Sequence, residues 1–298
     1  MVRLFRRKLL QPAFPDALPR PRLIAATGSP RVLIAQAPAG AGKTVFLAQW
    51  QAARGHAAVW YELDSEDQDG RVFCAHVAEG FGRAWPDWTP LDLSAADPGE
   101  LAVELVSEAA ARPPLDLVLD RLESAFGQAW LADFLAVIIR YAPPGLTLAL
   151  GTRAPLPAGV SGQVVSATDL AFTPEEAGSS KWVAGGLPLA VELQRTTGTG
   201  WQAELTARTR AAMPPHITPE RGRTLVEDWL AGRLDLGAFA HQVSVAPPGA
   251  EQLWSDLRAI RSIWITGDFR GAQAKLAPLW ETARGRGDQT LVGAAAAP

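Results

Sequence analysis

Val32-Leu33-Ile34-Ala35-Gln36-Ala37-Pro38-Ala39-Gly40-Ala41-Gly42-Lys43-Thr44 is the stretch on which the fold turns. It opens with an apolar run of strand length, passes through small residues, and ends in Lys-Thr at the head of a helical pattern over 45–54. Gly55 closes that pattern as a C′ residue. In a strand, glycine-rich turn and helix of this kind, successive backbone N–H groups and the helix N-terminus converge on an anion. Ala39, Gly40, Ala41 and Gly42 leave the backbone room to wrap a phosphate. Lys43 brings a point charge for the β- and γ-phosphates. The Thr44 hydroxyl suits a Mg²⁺ shell, because that ion takes oxygen ligands and keeps several waters. The pattern is A-x-x-x-x-G-K-T, the Walker A phosphate loop with Ala37 at the first glycine position. The plain alternative is a glycine-rich turn with an incidental lysine. The strand before it and the helix after it favour nucleotide binding.

Further strand-length apolar runs lie at 59–63, 115–119, 146–151 and 163–166, separated by helical patterns over 71–84, 98–111 and 127–141. Short buried strands alternating with helices predict an α/β fold, a parallel P-loop NTPase sheet with helices on both faces. Asp120 falls where the strand of Leu115-Asp116-Leu117-Val118-Leu119-Asp120 ends, a place from which a carboxylate reaches Mg²⁺ through water. Asp116, at the start of that strand, reads as a solvated or capping residue. Arg121 follows Asp120 where hydrolysing P-loop proteins often carry a water-activating acid, which predicts slow or impaired hydrolysis. Glu123 is the substitute catalytic candidate if the turn brings it round. Arg153, after Leu148-Ala149-Leu150-Gly151-Thr152, either senses the γ-phosphate or anchors the turn at 155–157.

The 298 residues suggest about two domains. With 28 Lys plus Arg against 31 Asp plus Glu, net charge −3, the chain is not a generally basic nucleic-acid-coating protein. A hydrophobic fraction of 48% and a charged fraction of 20% belong to a chain able to bury a core. The one cysteine, Cys74, cannot form an internal disulfide and reads as a small apolar helix residue, so an intracellular, cytoplasmic chain is expected. No run is long and apolar enough for a membrane span, and the basic start (Arg3, Arg6, Arg7, Lys8) lacks an apolar signal core and reads as a solvated arm. The expected organisation is an arm and proline-rich lead-in over 1–30, a nucleotide-binding domain over 31–170, helical subdomains over 171–250 and a helical tail over 251–298. Thr173-Pro174-Glu175-Glu176 opens the helical part with a capping box and Pro at N1.

Several of these segments together resemble the large ATP-binding LuxR-type, maltose-regulator-like transcription regulators of the STAND class of signal-transduction P-loop ATPases. They are Leu18-Pro19-Arg20-Pro21-Arg22-Leu23-Ile24, the phosphate loop with Phe46-Leu47-Ala48-Gln49-Trp50, and Val59-Trp60-Tyr61-Glu62-Leu63-Asp64. Asp169-Leu170-Ala171-Phe172-Thr173-Pro174-Glu175-Glu176 and Gly186-Leu187-Pro188-Leu189-Ala190 complete the set, and the likeness covers 18–195. The resemblance implies an ATP/ADP-switched clasp whose sheet and helical subdomains close over a nucleotide, with inducer sensing on a helical-repeat domain permitting nucleotide exchange and self-association. It gives Lys43 and Thr44 phosphate and Mg²⁺, Asp120 the Mg²⁺ water shell, Arg153 the sensing position and Pro188 the adenine side. As a bare residue, Pro188 equally fits a helix-starting proline. The departures from the family are Arg121, a shortened stretch between Glu176 and Gly185, and the absence of an evident helix-turn-helix. DNA contact would therefore need a further module or partner.

In the tail, helical runs over 253–266 and 270–284 joined by Gly267-Asp268-Phe269 read as one tetratricopeptide-like hairpin, a surface for a protein partner or inducer, or as a plain helical hairpin. Trp182, Trp201 and Trp229 read as core. His56, His76, His216 and His241 stand in no catalytic setting. The leading reading is a nucleotide-controlled regulatory switch. The alternatives are a degenerate P-loop scaffold working by protein–protein interaction and a small-molecule kinase, the latter lacking a clustered set of lid arginines.

Overall fold

The computed structural model describes residues 4–89, 97–157, 159–178, 183–197, 199–213, 217–231, 233–244, 274–278 and 281. Five parallel strands form one sheet in the order β2-β3-β4-β1-β5: β1 Val32–Gln36, β2 Ala57–Glu62, β3 Leu115–Asp120, β4 Leu146–Thr152 and β5 Gln163–Val165. The strand carrying the phosphate loop therefore lies between β4 and β5, and β4 separates it from the aspartate strand. Register is continuous, with Val32 opposite Leu148, Leu115 opposite Leu146 and Ala57 opposite Leu115.

Alternation along the strands decides which helix covers which face. Val32 and Ile34, Val59 and Tyr61, Leu115, Leu117 and Leu119, and Leu146, Leu148 and Leu150 share one core with Phe73 and Phe81 of α3 (Gly70–Ala84), Leu101 and Leu105 of α4 (Pro98–Ala109) and Phe134 and Leu135 of α5 (Ala129–Tyr141). The intervening Leu33, Ala35, Trp60, Val118 and Ala149 are buried on the opposite face. There α2 (Lys43–Arg54) packs across β1, β3 and β4, burying Phe46, Leu47 and Trp50. Strands buried on both faces have no polar side, which is why they read as unbroken apolar runs. Cys74 is buried in α3, and burial pushes its thiol up to about 12.

Two expectations are corrected. Asp116 is not solvated: its side chain is fully buried. Arg54, in the last turn of α2, donates to both carboxylate oxygens (3.1 and 3.2 Å) and to the Thr147 hydroxyl at the start of β4 (2.9 Å). The long arginine closes the amino-terminal edge of the sheet, so the strand-start carboxylate never meets water. In the basic arm Arg6 and Arg7 are exposed as expected and Arg3 lies outside the described residues, but Lys8 is not solvated. Arg6–Leu9 forms a 3-10 turn with Leu9 buried, and Lys8 pairs with Asp64 (2.7 Å) and the buried Asp67 (3.0 Å). Tyr61 donates its hydroxyl to Asp67 (2.5 Å), and the Phe5 N–H donates to Nε2 of His76 (3.0 Å), which stacks on Tyr61. Nδ1 of the same ring lies 2.8 Å from the Val72 carbonyl, so both ring nitrogens face backbone groups.

The proline-rich lead-in carries α1 (Pro21–Thr27), and its two arginines dock on a segment about 150 residues later. That segment begins with α6 (Ala167–Leu170) and α7 (Pro174–Ala177), each opened by a formed capping box, at Ser166 and Thr173. Arg20 lies over the Phe172 ring (4.1 Å to its centroid) and donates to the Leu170 carbonyl (2.5 Å). Burial lowers its guanidinium to about 10. Arg22 makes a bidentate pair with Glu176 (3.1 Å to each oxygen). Burial alone would raise that carboxyl, but the Arg22 hydrogen bond and the Thr173 N–H bring it below its ordinary value. Two stretches that carried the family resemblance are thus one docking interface.

The chain forms two compact units, Met1–Leu205 and Thr206–Pro298. In the first, α8 (Pro188–Thr197) follows the capped helices, and α9 (Trp201–Ala211) runs across the boundary. In the second, α10 (Pro219–Leu230), capped by Thr218, pairs with α11 (Leu236–Ser244). Trp229 stacks on Phe239 with centroids 4.7 Å apart, so Trp229 is core as expected, whereas Trp201 is only half-buried. Trp182, His216 and the tetratricopeptide-like hairpin over 253–284, apart from 274–278 and 281, lie outside the described residues.

Candidate functional site

The loop between β1 and α2 is shaped by its glycines. Gly40 (φ +81°) and Gly42 (φ +79°) take a left-handed backbone that side chains disfavour. Space is tight for a side chain as well. A Cβ on Gly40 would lie 2.9 Å from Cδ2 of Leu189, and one on Gly42 would lie 3.1 Å from Cβ of Pro188. Ala37, the departure from the first glycine of the motif, costs nothing. It is absent from the positive-φ residues, and its N–H extends the ladder to the Thr152 carbonyl (3.1 Å). Gly42 is the N-cap of α2 and, having no side chain, offers no cap to the first-turn N–H groups.

Lys43 is buried, with its ammonium donating to the carbonyls of Ala37 (2.6 Å) and Pro38 (3.0 Å). Burial pushes it down to about 8; Arg153 acts in the same direction, while Glu123 and Asp120 oppose. The Thr44 hydroxyl donates to Oδ2 of Asp120 at 2.6 Å, and Oδ1 accepts the Arg121 N–H at 2.9 Å. Asp120 is 1% exposed. The aspartate strand reaches the lysine loop across the intervening β4 because the carboxylate and the head of α2 share a sheet face.

The turn after β3 brings Glu123 round. Arg121 sits in the left-handed region (φ +59°, ψ +39°), and the 3-10 turn Leu122–Ala125 follows it. Glu123 then accepts from the backbone N–H of Arg153 (3.0 Å) and pairs with its guanidinium (Nε–Oε1 3.3 Å). The structure thus gathers Lys43, Thr44, Asp120, Glu123 and Arg153 at the carboxyl edge of the sheet. In an open α/β sheet, this edge is where ligands bind. Pro188 opens α8, as the helix-start reading expects, and rests on the loop beside Gly42.

Sequence reasoning missed two neighbours. Leu189 donates its N–H to the Gly40 carbonyl (3.0 Å), and Glu62 at the end of β2 takes the Arg121 guanidinium (3.0 Å). Both lie in stretches that carry the family resemblance, but neither residue signals these contacts, which depend on chain segments brought together only by folding. A hydroxyl beside a buried carboxylate is a donor set that fits Mg²⁺, which uses one or two carboxylates, waters and substrate phosphates. Among the described residues, no group of three or more His, Cys, Asp or Glu forms a metal cage, and no helix is long and apolar enough to cross a membrane.

No protein-family model matches the chain, and no curated protein matches it. Among solved structures it is similar to the Aeropyrum pernix ORC2 protein in its ADP form, at 14% identity and a TM-score of 0.39, covering 88% of this chain and 79% of that one. It is also similar to the ADPNP–ADP complexes of the same protein, at 12% identity and a TM-score of 0.35, covering 83% and 72%. Likenesses this distant say nothing of the present chain's chemistry. The α/β P-loop fold follows from its own strand order and loop.

Proposed function

We propose that this chain is an ATP/ADP-binding switch of the STAND signal-transduction type, acting in transcription regulation and hydrolysing ATP slowly. The observation that carries the reading is the meeting of Lys43, Thr44 and Asp120 at a glycine-shaped loop heading a helix without a side-chain cap. Lys43 and the α2 N–H groups would hold the phosphates. Thr44 and Asp120 would hold Mg²⁺, whose contribution is to neutralise phosphate charge. Slow turnover is supported by Arg121 at the position of the usual second acid, with its side chain engaged by Glu62. Glu123, the substitute base, is held twice by Arg153. Regulatory output is supported by the segments resembling the LuxR-type regulators, which dock on one another through Arg20 and Arg22, and by Pro188 and Leu189 seated on the loop. Movement of α8 would then bias a closed–open equilibrium. An inducer or protein partner at the helical tail, self-association, and DNA contact through a further module or partner belong to this proposal.

The twofold hold on Glu123, with Arg121 at the second-acid position, also favours a second reading, a degenerate P-loop scaffold that binds nucleotide poorly and works by protein–protein interaction. Calorimetry of ADP with Mg²⁺ on the wild type and Lys43→Ala, followed by single-turnover hydrolysis of ATP, tests both. Tight ADP binding lost in Lys43→Ala, with slow turnover, is the expected result. Binding without turnover keeps the switch and overturns slow hydrolysis. No heat with any adenine nucleotide on folded protein removes the nucleotide reading and leaves the scaffold.

A further inference from the structure

Gly151, near the end of β4, has an ordinary strand backbone, so conformational freedom does not explain a glycine there. Space does. Leu119 pairs with Leu150, and continuing that register brings Asp120 level with Gly151 on the face covered by α2. A Cβ placed on Gly151 would overlap Oδ1 of Asp120, far inside van der Waals contact. It would also lie 3.1 Å from Cγ of Asp120 and 3.1 Å from Cδ1 of Leu47. The carboxylate occupies the room that a side chain on β4 would fill. From there it accepts both the Thr44 hydroxyl and the Arg121 N–H.

We infer that Gly151 is a positioning residue of the nucleotide site, whose missing side chain lets the Asp120 carboxylate cross over β4 to Thr44. The clash falls on the end of a side chain and not on backbone. A methyl group at 151 is therefore relieved by swinging Asp120 aside, which separates the carboxylate from Thr44 while the strand pairing stays in place. The inference rests on the proposed Mg²⁺–nucleotide site for its consequence but not for its geometry, so the two are tested apart.

The geometric part is read without ligand, from denaturant unfolding of wild type, Gly151→Ala, Asp120→Ala and the double variant. The expected result is strong non-additivity: Gly151→Ala destabilises the wild type and has little further effect once Asp120 is Ala. If Gly151→Ala fails to fold alone, the double variant should fold. Additive losses, or failure of both variants, overturn the inference and make Gly151 a matter of strand packing alone. The functional part compares ADP affinity in Mg²⁺ and in chelator. Gly151→Ala should keep the chelator affinity and lose the Mg²⁺ enhancement by ~10–100-fold, the effect of removing a group that orients a metal ligand. An undiminished Mg²⁺ enhancement in Gly151→Ala overturns the inference. A wild type with no Mg²⁺ enhancement sinks the proposed site instead, and the unfolding cycle still decides Gly151.

Discussion

Lys43 carries a charge that its surroundings oppose. Its ammonium is buried against two carbonyls, and burial, aided by Arg153, holds its pKa down to about 8. An anion in the loop favours the charged form, so binding must draw protons in. In ligand-free protein at pH 8 roughly half of the Lys43 side chains are neutral. ADP binding there should take up on the order of half a proton, and little at pH 6. Affinity should fall as pH rises through about 8, because the free protein must first be protonated. Calorimetric titrations in buffers of differing ionisation enthalpy measure the uptake directly. Lys43→Arg should abolish it, since a guanidinium stays protonated throughout. An observed enthalpy independent of buffer at pH 8 would show that Lys43 is already charged in the free protein or does not meet the phosphates.

At the scale of elements, the sheet is tied to α2 at both of its edges: at the carboxyl edge by Thr44 and Asp120, at the amino edge by Arg54 and Asp116. The second tie is a buried ion pair, stacked on Trp50 through Arg54 (4.8 Å to its centroid). Such pairs add little net stability against an apolar substitute, but removing one partner strands the other. Asp116→Ala should therefore lower unfolding stability by about 3–5 kcal/mol in denaturant melts, and Arg54→Met combined with Asp116→Leu should recover much of the loss. A loss for Asp116→Ala no larger than a surface substitution would mean that Arg54 escapes to water. The same pair marks where sequence reading stops. The loop, α2 and the strand of Asp120 were legible because period, small residues and the Lys-Thr head are local signals. Asp116 was misread because a carboxylate at a strand start gives no sign that an arginine 62 positions earlier will cover it. Glu123 reaching Arg153 depends on the left-handed backbone at Arg121, which no propensity would assign to an arginine. The docking of the arm on Asp67 and His76 likewise depends on contacts 59 and 71 positions apart.

At the scale of the molecule, every candidate residue of the site, from the phosphate loop through Asp120 and Arg153 to Pro188, falls within the unit Met1–Leu205. The two arginines of the lead-in also close that unit, by joining its beginning to the capped helices near its end. A ligand that binds only the folded site stabilises the unit holding it by RT ln(1 + [L]/Kd), about 2.7 kcal/mol at roughly a hundredfold excess over Kd. For a unit of this size each kcal/mol moves the midpoint by about 2–4 °C, so ADP with Mg²⁺ should raise its melting temperature by about 5–10 °C. Scanning calorimetry resolves this where a single optical probe would not, because a chain of two compact units need not unfold in one step. Lys43→Ala should melt unshifted at the same ADP concentration, since it lacks the charge that, on the proposed reading, holds the phosphates. Thr206–Pro298 contains none of the candidate residues, so any stabilisation enters through the unit that contains the loop. A wild-type melt indifferent to ADP and Mg²⁺ at every concentration would mean that the glycine loop, for all its geometry, grips no nucleotide.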